Sequence, residues 1–214
     1  MATDEQSPFS DLEDSLKKSA AALRGADVPF LLGGSLASWA RGGPETRHDL
    51  DLMIKPEDVE RAVAALGEVG MRFEDPPEEW LVKVWDGDTL VDLIHHPKGT
   101  RVDDALIERG EVMSVLGMEM RVMALEDVLV TKLMALDEHA LRYESLLAIA
   151  RALRERIDWD DVRSRTQTST WARAFFVMLE GLGILAEASP STGGHETRVR
   201  VLNAPSGSAA ANVG

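Results

Sequence analysis

The chain has 214 residues, 44% of them hydrophobic, and a formal net charge of −14. That length and apolar fraction suffice for one good core or two small ones, and the acidic balance works against broad, non-specific binding to nucleic acid while leaving room for a local basic patch or a cationic partner. With no cysteine the chain has no disulfide framework and no thiolate metal site, and the lack of a long apolar run or a charged-then-apolar leader leads us to expect a soluble, cytoplasmic protein without a membrane partner.

Taken in order, MATDEQSP reads as a frayed terminus. Ser10 is then expected to cap a helix through Leu23, with Leu12, Leu16, Ala20 and Leu23 along one apolar stripe. Val28 to Leu32 predicts a buried strand that ends in Gly33-Gly34-Ser35. Behind it, Leu36, Ala37 and Ala40 are small and apolar enough for a short helix to lie close, and Gly42-Gly43-Pro44 ends that helix. A second strand carries Asp49 and Asp51 and runs to Ile54. Pro56 opens another helix, with Val59, Ala62, Val63 and Leu66 at helical spacing and Gly70 beyond its end.

Phe73 to Glu79 is polar and contains proline, which predicts a loop. Strands over Trp80 to Trp85 and Thr89 to His95 follow, joined across Asp86-Gly87-Asp88. Asp103 to Arg109 reads as a short helix. Glu111 to Met123 reads as a hairpin turning at Gly117, with Val112, Val115, Met118, Met120 and Val122 as its apolar members and the methionines as adaptable core filler.

From Ala124 the pattern is helical, in stretches Leu125 to Leu136, Ala140 to Arg156, Trp159 to Arg165 and Trp171 to Leu185. After Ser189 the chain is rich in Gly, Ser, Ala, Asn and Thr, the composition of a disordered tail. No internal repeat is present. The expected organisation is α+β: a mixed β-sheet core flanked by helices over residues 1–123, a C-terminal helical bundle over 124–188, and the tail over 189–214.

The chemistry concentrates in the stretch Leu31 to Ile54. Gly33 and Gly34 lack Cβ atoms, so the backbone can turn sharply there and present its N–H groups, with the Ser35 hydroxyl, to an anion. Residues two apart on a strand share a face, which puts Asp49 and Asp51 side by side while Leu50, Leu52 and Ile54 enter a core. Paired carboxylates repel at neutral pH, and a divalent cation between them relieves that.

In Val91-Asp92-Leu93-Ile94, Asp92 shares its face with Leu90 and Ile94. An acid in an apolar row is costly unless paired or bound to a cation, so it belongs near Asp49 and Asp51. An Asp-Leu-Asp or a Gly-Gly-Ser alone is a weak signal, since solvated strands and ordinary turns supply both; the constellation is the signal.

Other polar groups are less telling. Arg41, Arg47 and Lys83 are candidate phosphate contacts by charge alone. His95-His96 has no companion histidines or cysteines at useful spacing, and neighbours on an extended chain face opposite ways, so no transition-metal site is expected there. Arg142, Arg151, Arg154, Arg156, Arg163, Arg165 and Arg173 accumulate along the later helices, a candidate patch for tracking an RNA backbone.

Gly33-Gly34-Ser35, 13 intervening residues, then Asp49-Leu50-Asp51-Leu52 resembles the signature of the DNA polymerase β-type nucleotidyltransferase superfamily, which also needs a third acid on a neighbouring strand, as Asp92 supplies. The resemblance implies transfer of a nucleoside monophosphate from an NTP co-substrate to a hydroxyl, with two Mg2+ ions as cofactors. It further implies that Asp49 and Asp51 bridge both ions, that Asp92 binds the one activating the hydroxyl, and that Gly33, Gly34, Ser35 and Arg47 hold the nucleotide.

The run Leu125-Glu126-Asp127 to Lys132-Leu133 is similar to the helix that follows the catalytic domain in small bacterial members, where a lysine at the place of Lys132 reaches the phosphates. Relatives often carry an Arg-Asp or Asp-Tyr/Phe pair about ten residues after that lysine. Here Arg142-Tyr143-Glu144 stands in that place, so the acid is Glu144 or is missing.

Three acceptor readings follow. Resemblance to the AbiEii/MenT-like toxins of bacterial toxin–antitoxin pairs implies a tRNA 3′ end as acceptor and a cognate antitoxin as partner, and the arginine-rich helices agree. Similarity to aminoglycoside and lincosamide nucleotidyltransferases implies a small-molecule hydroxyl, to which an acidic surface is suited when the molecule is cationic. The third reading is a silent nucleotide-binding module that kept the fold.

Overall fold

The computed structural model describes residues 8–46, 49–74, 79–98 and 100–186. Among these residues seven strands form one sheet: β1 (Phe30–Leu32), β2 (Leu50–Ile54), β3 (Arg72–Glu74), β4 (Leu81–Asp86), β5 (Thr89–Ile94), β6 (Glu111–Val115) and β7 (Met118–Val122), in the order β3-β4-β5-β2-β1-β7-β6. β2 runs parallel to β5 and β1 parallel to β7, while β1/β2, β3/β4, β4/β5 and β6/β7 are antiparallel. This mixed sheet, flanked by helices, is the α+β architecture expected from the sequence.

Alternation explains the central strand. Leu50, Leu52 and Ile54 of β2 are fully buried on one face, leaving Asp51 and Met53 for the other. With Val91 and Leu93 of β5 they join one apolar cluster that includes Leu12, Leu16, Ala20 and Leu23 of α1 (Pro8–Gly25) and Ala62 and Leu66 of α3 (Val59–Glu68). The expected stripe of α1 is therefore its core face. The helix opens at Pro8, so Ser10 stands inside it and does not cap it; proline suits a first turn, whose N–H groups lack helical partners anyway.

Two turns follow their local chemistry. Asp86 pairs with Thr89, so β4 and β5 are joined by Gly87-Asp88, with Gly87 at φ 60°. Leu116 and Gly117 have φ of 50° and 78°, the consecutive left-handed pair that matches the twist of a two-residue hairpin.

Two expectations are corrected. Part of the stretch read as a loop forms β3, an edge strand whose three residues are all exposed and so carry no apolar alternation to read. Val112, read as an apolar member of its hairpin, is 61% exposed, because β6 is the outermost strand on its side of the sheet.

The later helices α5 (Leu125–Met134), α6 (Tyr143–Leu153), α7 (Trp159–Thr166) and α8 (Thr170–Gly181) gather a second apolar cluster around Leu129, Leu133, Leu146, Ile149, Phe175 and Leu179. Asp158 caps α7, accepting the backbone N–H groups of Asp160 and Asp161, and Ser169 caps α8, accepting that of Ala172. α5 belongs to both clusters, since Val128 packs with the sheet and Leu129 with the bundle. A helix buried this far round is apolar on nearly every side.

Most of the arginines expected to form an RNA patch have partners within the chain while staying at least partly exposed. Arg163 pairs with Glu180 at 2.7 Å and lies 4.2 Å over the Phe176 ring. Arg165 pairs with Asp127 and Asp161, Arg156 donates to the Arg41 carbonyl, Arg154 pairs with Glu155 and Arg173 donates to Thr170.

Arg41, a candidate phosphate contact from sequence, is also structural. It is 4% exposed and donates to the carbonyls of Val122 and Met123, each at 3.0 Å, and to Glu111 at 2.8 Å. Arg41→Ala removes donors from two enclosed carbonyls and is expected to cost about 2 kcal/mol. The check is a denaturant titration with a triphosphate-binding measurement alongside. A native midpoint combined with weakened triphosphate binding would return Arg41 to the site.

Candidate active site

The glycine turn and β2 are built against each other. Gly33 is extended and donates its N–H to the Asp51 carbonyl at 2.8 Å. Gly34 then takes φ 57° and opens the short helix α2 (Gly34–Ala40). A Cβ on Gly34 would fall 1.6 Å from Oδ2 of Asp51, so glycine is required both for the left-handed backbone and for the close approach of the carboxylate.

Strand register brings the second acid alongside. Asp51 and Asp92 are direct partners in the parallel β2/β5 pair, so their side chains stand on the same face. Lys83 is the partner of Asp92 across β4/β5, and Glu74 the partner of Lys83 across β3/β4, making a charged row across the sheet. Asp49 sits just ahead of β2, exposed, and not within the strand as expected.

From the helical half, Lys132 of α5 donates to Ser35 Oγ at 3.1 Å. Ser35, Asp49, Asp51, Asp92 and Lys132 all line one cleft of about 910 Å³, with Arg142 and Glu144 on its α6 side. Gly34 reaches the same carboxylate from behind and Gly33 is held in the strand pairing. Lys83 is in the charged row but not in the cleft wall. Arg47 lies outside the described residues, as does His48.

The electrostatics are those of a crowded acid site. The Asp51 carboxyl is pushed up to about 6, first by burial, with Lys132 pulling it back and Asp49 adding repulsion. Desolvation lowers the Lys132 ammonium, Asp51 offsets part of this, and Arg142 lowers it further. Carboxylate oxygens in such a place suit a hard divalent cation, which restores the charge balance lost on burial. Among the described residues no three acidic or histidine side chains are gathered closely enough to hold an ion. The standing part of such a site is therefore the Asp51–Asp92 pair, with Asp49 at the rim.

His95 and His96 differ from expectation in geometry. They do not face opposite ways: their Nδ1 atoms are 2.9 Å apart and the rings meet edge to face. Both lie past the end of β5, where both backbone N–H groups donate to the Trp80 carbonyl and the alternation of the strand is lost.

Two features escaped sequence reasoning. Asp127 is 2% exposed and binds Arg109 at 3.0 and 3.1 Å as well as Arg165, which fixes the helix bearing Lys132; the sequence places it in the Leu125-Glu126-Asp127 to Lys132-Leu133 run but carries no signal for its two arginine partners. A second compartment of about 330 Å³, with Met53, Trp80 and Ile94 in its lining, adjoins the cleft at Asp51 and Lys132. No motif announces it, because its walls come from separate parts of the chain.

A family model described as an uncharacterised nucleotidyltransferase matches residues 12–184. The crystal structure of ANT(2″)-Ia in complex with adenylyl-2″-tobramycin is similar over 78% of this chain and 98% of that one, at 18% identity and a TM-score of 0.56. The solution structure of the same antibiotic-resistance factor is similar over 80% and 96%, at 18% identity and a TM-score of 0.53. The lincomycin-bound lincosamide adenylyltransferase LnuA covers 72% of this chain and 98% of its own at 12% identity, with a TM-score of 0.48. At such identities the likeness is one of fold. No curated protein matches the chain significantly.

The raised Asp51 carboxyl has a measurable effect on stability. The folded chain holds this proton more tightly than the unfolded chain, so between the ordinary value of 3.8 and about 6 the native state binds more protons and stability falls as pH rises. The cost of the buried charge is then fully present above about pH 6. Asp51→Asn should therefore raise the melting temperature at neutral pH in metal-free buffer and remove the decline across that window. A thermal melt series in pH showing no gain would mean the carboxylate is not held against its preference.

Proposed function

The chain belongs to the nucleotidyltransferase family whose model it matches over residues 12–184, an enzyme family, and from that premise we propose that it moves a nucleoside monophosphate from a nucleoside triphosphate to a small-molecule hydroxyl. The observation that carries this is the placement of Asp51 beside Asp92 and against Gly34, in a cleft that Lys132 enters from the other half of the fold.

Asp49, Asp51 and Asp92 would hold magnesium, two ions in the reading drawn from the superfamily, and when bound these offset phosphate charge and acidify the attacking hydroxyl. Asp92 faces the acceptor and takes the hydroxyl proton on its carboxylate. The Gly34 N–H and the Ser35 hydroxyl grip the triphosphate, with Gly33 setting the turn and Arg47 as a further phosphate contact. Lys132, already beside Ser35, neutralises charge as the bond between the α-phosphorus and its bridging oxygen breaks and pyrophosphate leaves. The phosphorus then carries the acceptor oxygen.

Two observations favour a small acceptor. The net charge is −14, and Arg154, Arg163 and Arg165 are each paired with a carboxylate of the chain, which offsets part of the cationic surface an RNA backbone would use. The product seen in the ANT(2″)-Ia complex, an adenylylated aminoglycoside, supports the same class. A tRNA 3′ end, with a cognate antitoxin as partner, is the second reading; Arg142, exposed on the cleft wall, is the observation in its favour. Retention of all three acids argues against a silent module.

Incubation with labelled NTPs and magnesium should label an added small-molecule acceptor such as tobramycin or lincomycin and leave total tRNA unlabelled; label in tRNA alone would establish the second reading. Asp92→Asn should slow pyrophosphate release about 10²- to 10⁴-fold with little change in triphosphate affinity, whereas Lys132→Ala should weaken triphosphate binding. Equal rates of magnesium-dependent pyrophosphate release by the native chain and by Asp49→Ala would establish a silent module.

A further inference from the structure

Lys132 and Arg142 both enter the polar cleft from the helical half of the fold. Lys132 stands beside Ser35, its ammonium donating to Oγ at 3.1 Å, and Arg142 occupies the N-cap position of α6 on the facing wall. Burial lowers the Lys132 ammonium, Asp51 offsets part of this, and the Arg142 charge lowers it further, so the two cations are near enough to repel. An anion that meets both relieves that repulsion.

The backbone beneath Arg142 is fixed while its side chain is not. Tyr143, the next residue, donates its hydroxyl to the Trp171 carbonyl at 2.9 Å and stacks on Phe175 with ring centres 6.0 Å apart. Ser145 Oγ donates to the Arg142 carbonyl at 3.2 Å, and the Tyr143 N–H donates to the Leu141 carbonyl at 2.9 Å. Packing of the bundle therefore sets the point from which the guanidinium extends. The guanidinium itself is exposed and forms no ion pair among the described residues, unlike those of Arg163 and Arg165, which are paired with carboxylates.

Resting on the nucleotide-transfer reading, we propose that Arg142 is a phosphate-binding residue which, together with Lys132, holds the two phosphates that leave as pyrophosphate. Asp51 and Asp92 stand side by side on the sheet, at the place where the α-phosphorus and the acceptor meet, and the two cations face the leaving group. As the acceptor oxygen bonds to the α-phosphorus, the bridging oxygen keeps the electron pair of the bond that breaks, and the departing pyrophosphate gains charge. A guanidinium answers that charge with two parallel N–H donors, which an ammonium does not have. Arg142 borders the cleft and not the apolar compartment, so the phosphates it meets lie in the cleft. RNA is the competing partner for an exposed arginine. A cation that shares its cleft with Lys132 and Ser35 is better matched to a compact polyphosphate than to an extended backbone, which is held by many spaced cations.

The test is calorimetric titration of the full chain in magnesium with inorganic pyrophosphate, α,β-methylene-ATP and AMP as probes. The native chain should bind the first two, and Arg142→Gln should weaken both about tenfold or more, the loss expected for one charge-assisted phosphate contact. AMP, which lacks the leaving phosphates, should not distinguish the two chains. Arg142→Lys should recover part of the loss, since it keeps the charge without the fork. Arg154→Gln removes an equal charge, one that pairs with Glu155 outside the cleft, and should leave pyrophosphate binding unchanged. Thermal melts confirm the fold of each variant.

Equal pyrophosphate affinity in the native chain and Arg142→Gln would overturn the proposal, as would an equal loss for AMP or an equal loss in Arg154→Gln. Loss of tRNA labelling in Arg142→Gln with pyrophosphate affinity unchanged would overturn it too, by giving Arg142 to an RNA acceptor. A native chain that binds neither pyrophosphate nor the analogue would instead overturn the nucleotide-transfer reading on which the proposal rests.

Discussion

The site depends on a carboxylate held where it resists ionising. Asp51 is pressed against a residue that must be glycine, stands beside a second acid on the adjoining strand, and is closed in enough that its carboxyl is pushed up to about 6. The position is sustained by what lies behind it: Leu50, Leu52 and Ile54 are completely buried on the opposite face of the same strand, so β2 cannot slip by one residue without exposing its whole apolar set. Core burial on one face thus maintains electrostatic strain on the other. Such strain is a known companion of metal and phosphate chemistry.

The second constraint is α5. It is packed between the sheet cluster and the helical cluster, and Asp127 in its first turn is bound by Arg109 from α4 (Asp104–Arg109) and Arg165 from α7. A buried acid with two guanidinium partners resists both rotation and sliding of the helix. That is why Lys132, one and a half turns on, meets Ser35. The contact joins the helical half to the glycine turn, and the two cavities share Asp51 and Lys132 in their lining.

Charge is distributed by role. The chain is strongly acidic overall, yet its arginines work as internal ties: Arg41 gathers two carbonyls of the β7 end, Arg163 lies over an aromatic ring while paired with Glu180, and Arg165 bridges Asp127 and Asp161. Guanidinium groups are suited to this because several donors project in one plane. Count and spacing cannot distinguish an arginine that faces a ligand from one that ties two elements together, so the structural role of Arg41 is invisible in the sequence.

Local pattern was enough for much of the fold and the heart of the site. Alternation around Leu50-Asp51-Leu52 assigned the faces of β2, an acid in the apolar row of β5 pointed to a partner, and paired glycines before a short helix marked the turn, because each is a preference of a few adjacent residues. The short exposed β3, the helix start at Pro8 and the bend that turns His95 toward His96 left no such pattern. What tertiary structure alone decided is proximity between distant segments: Asp92 beside Asp51 through parallel register, Lys132 against Ser35 through the packing of α5, and a compartment walled by β2, β5, the Trp80 loop and the end of α5. One residue reports its own preference for burial or a turn, but a cavity exists only where separate surfaces meet.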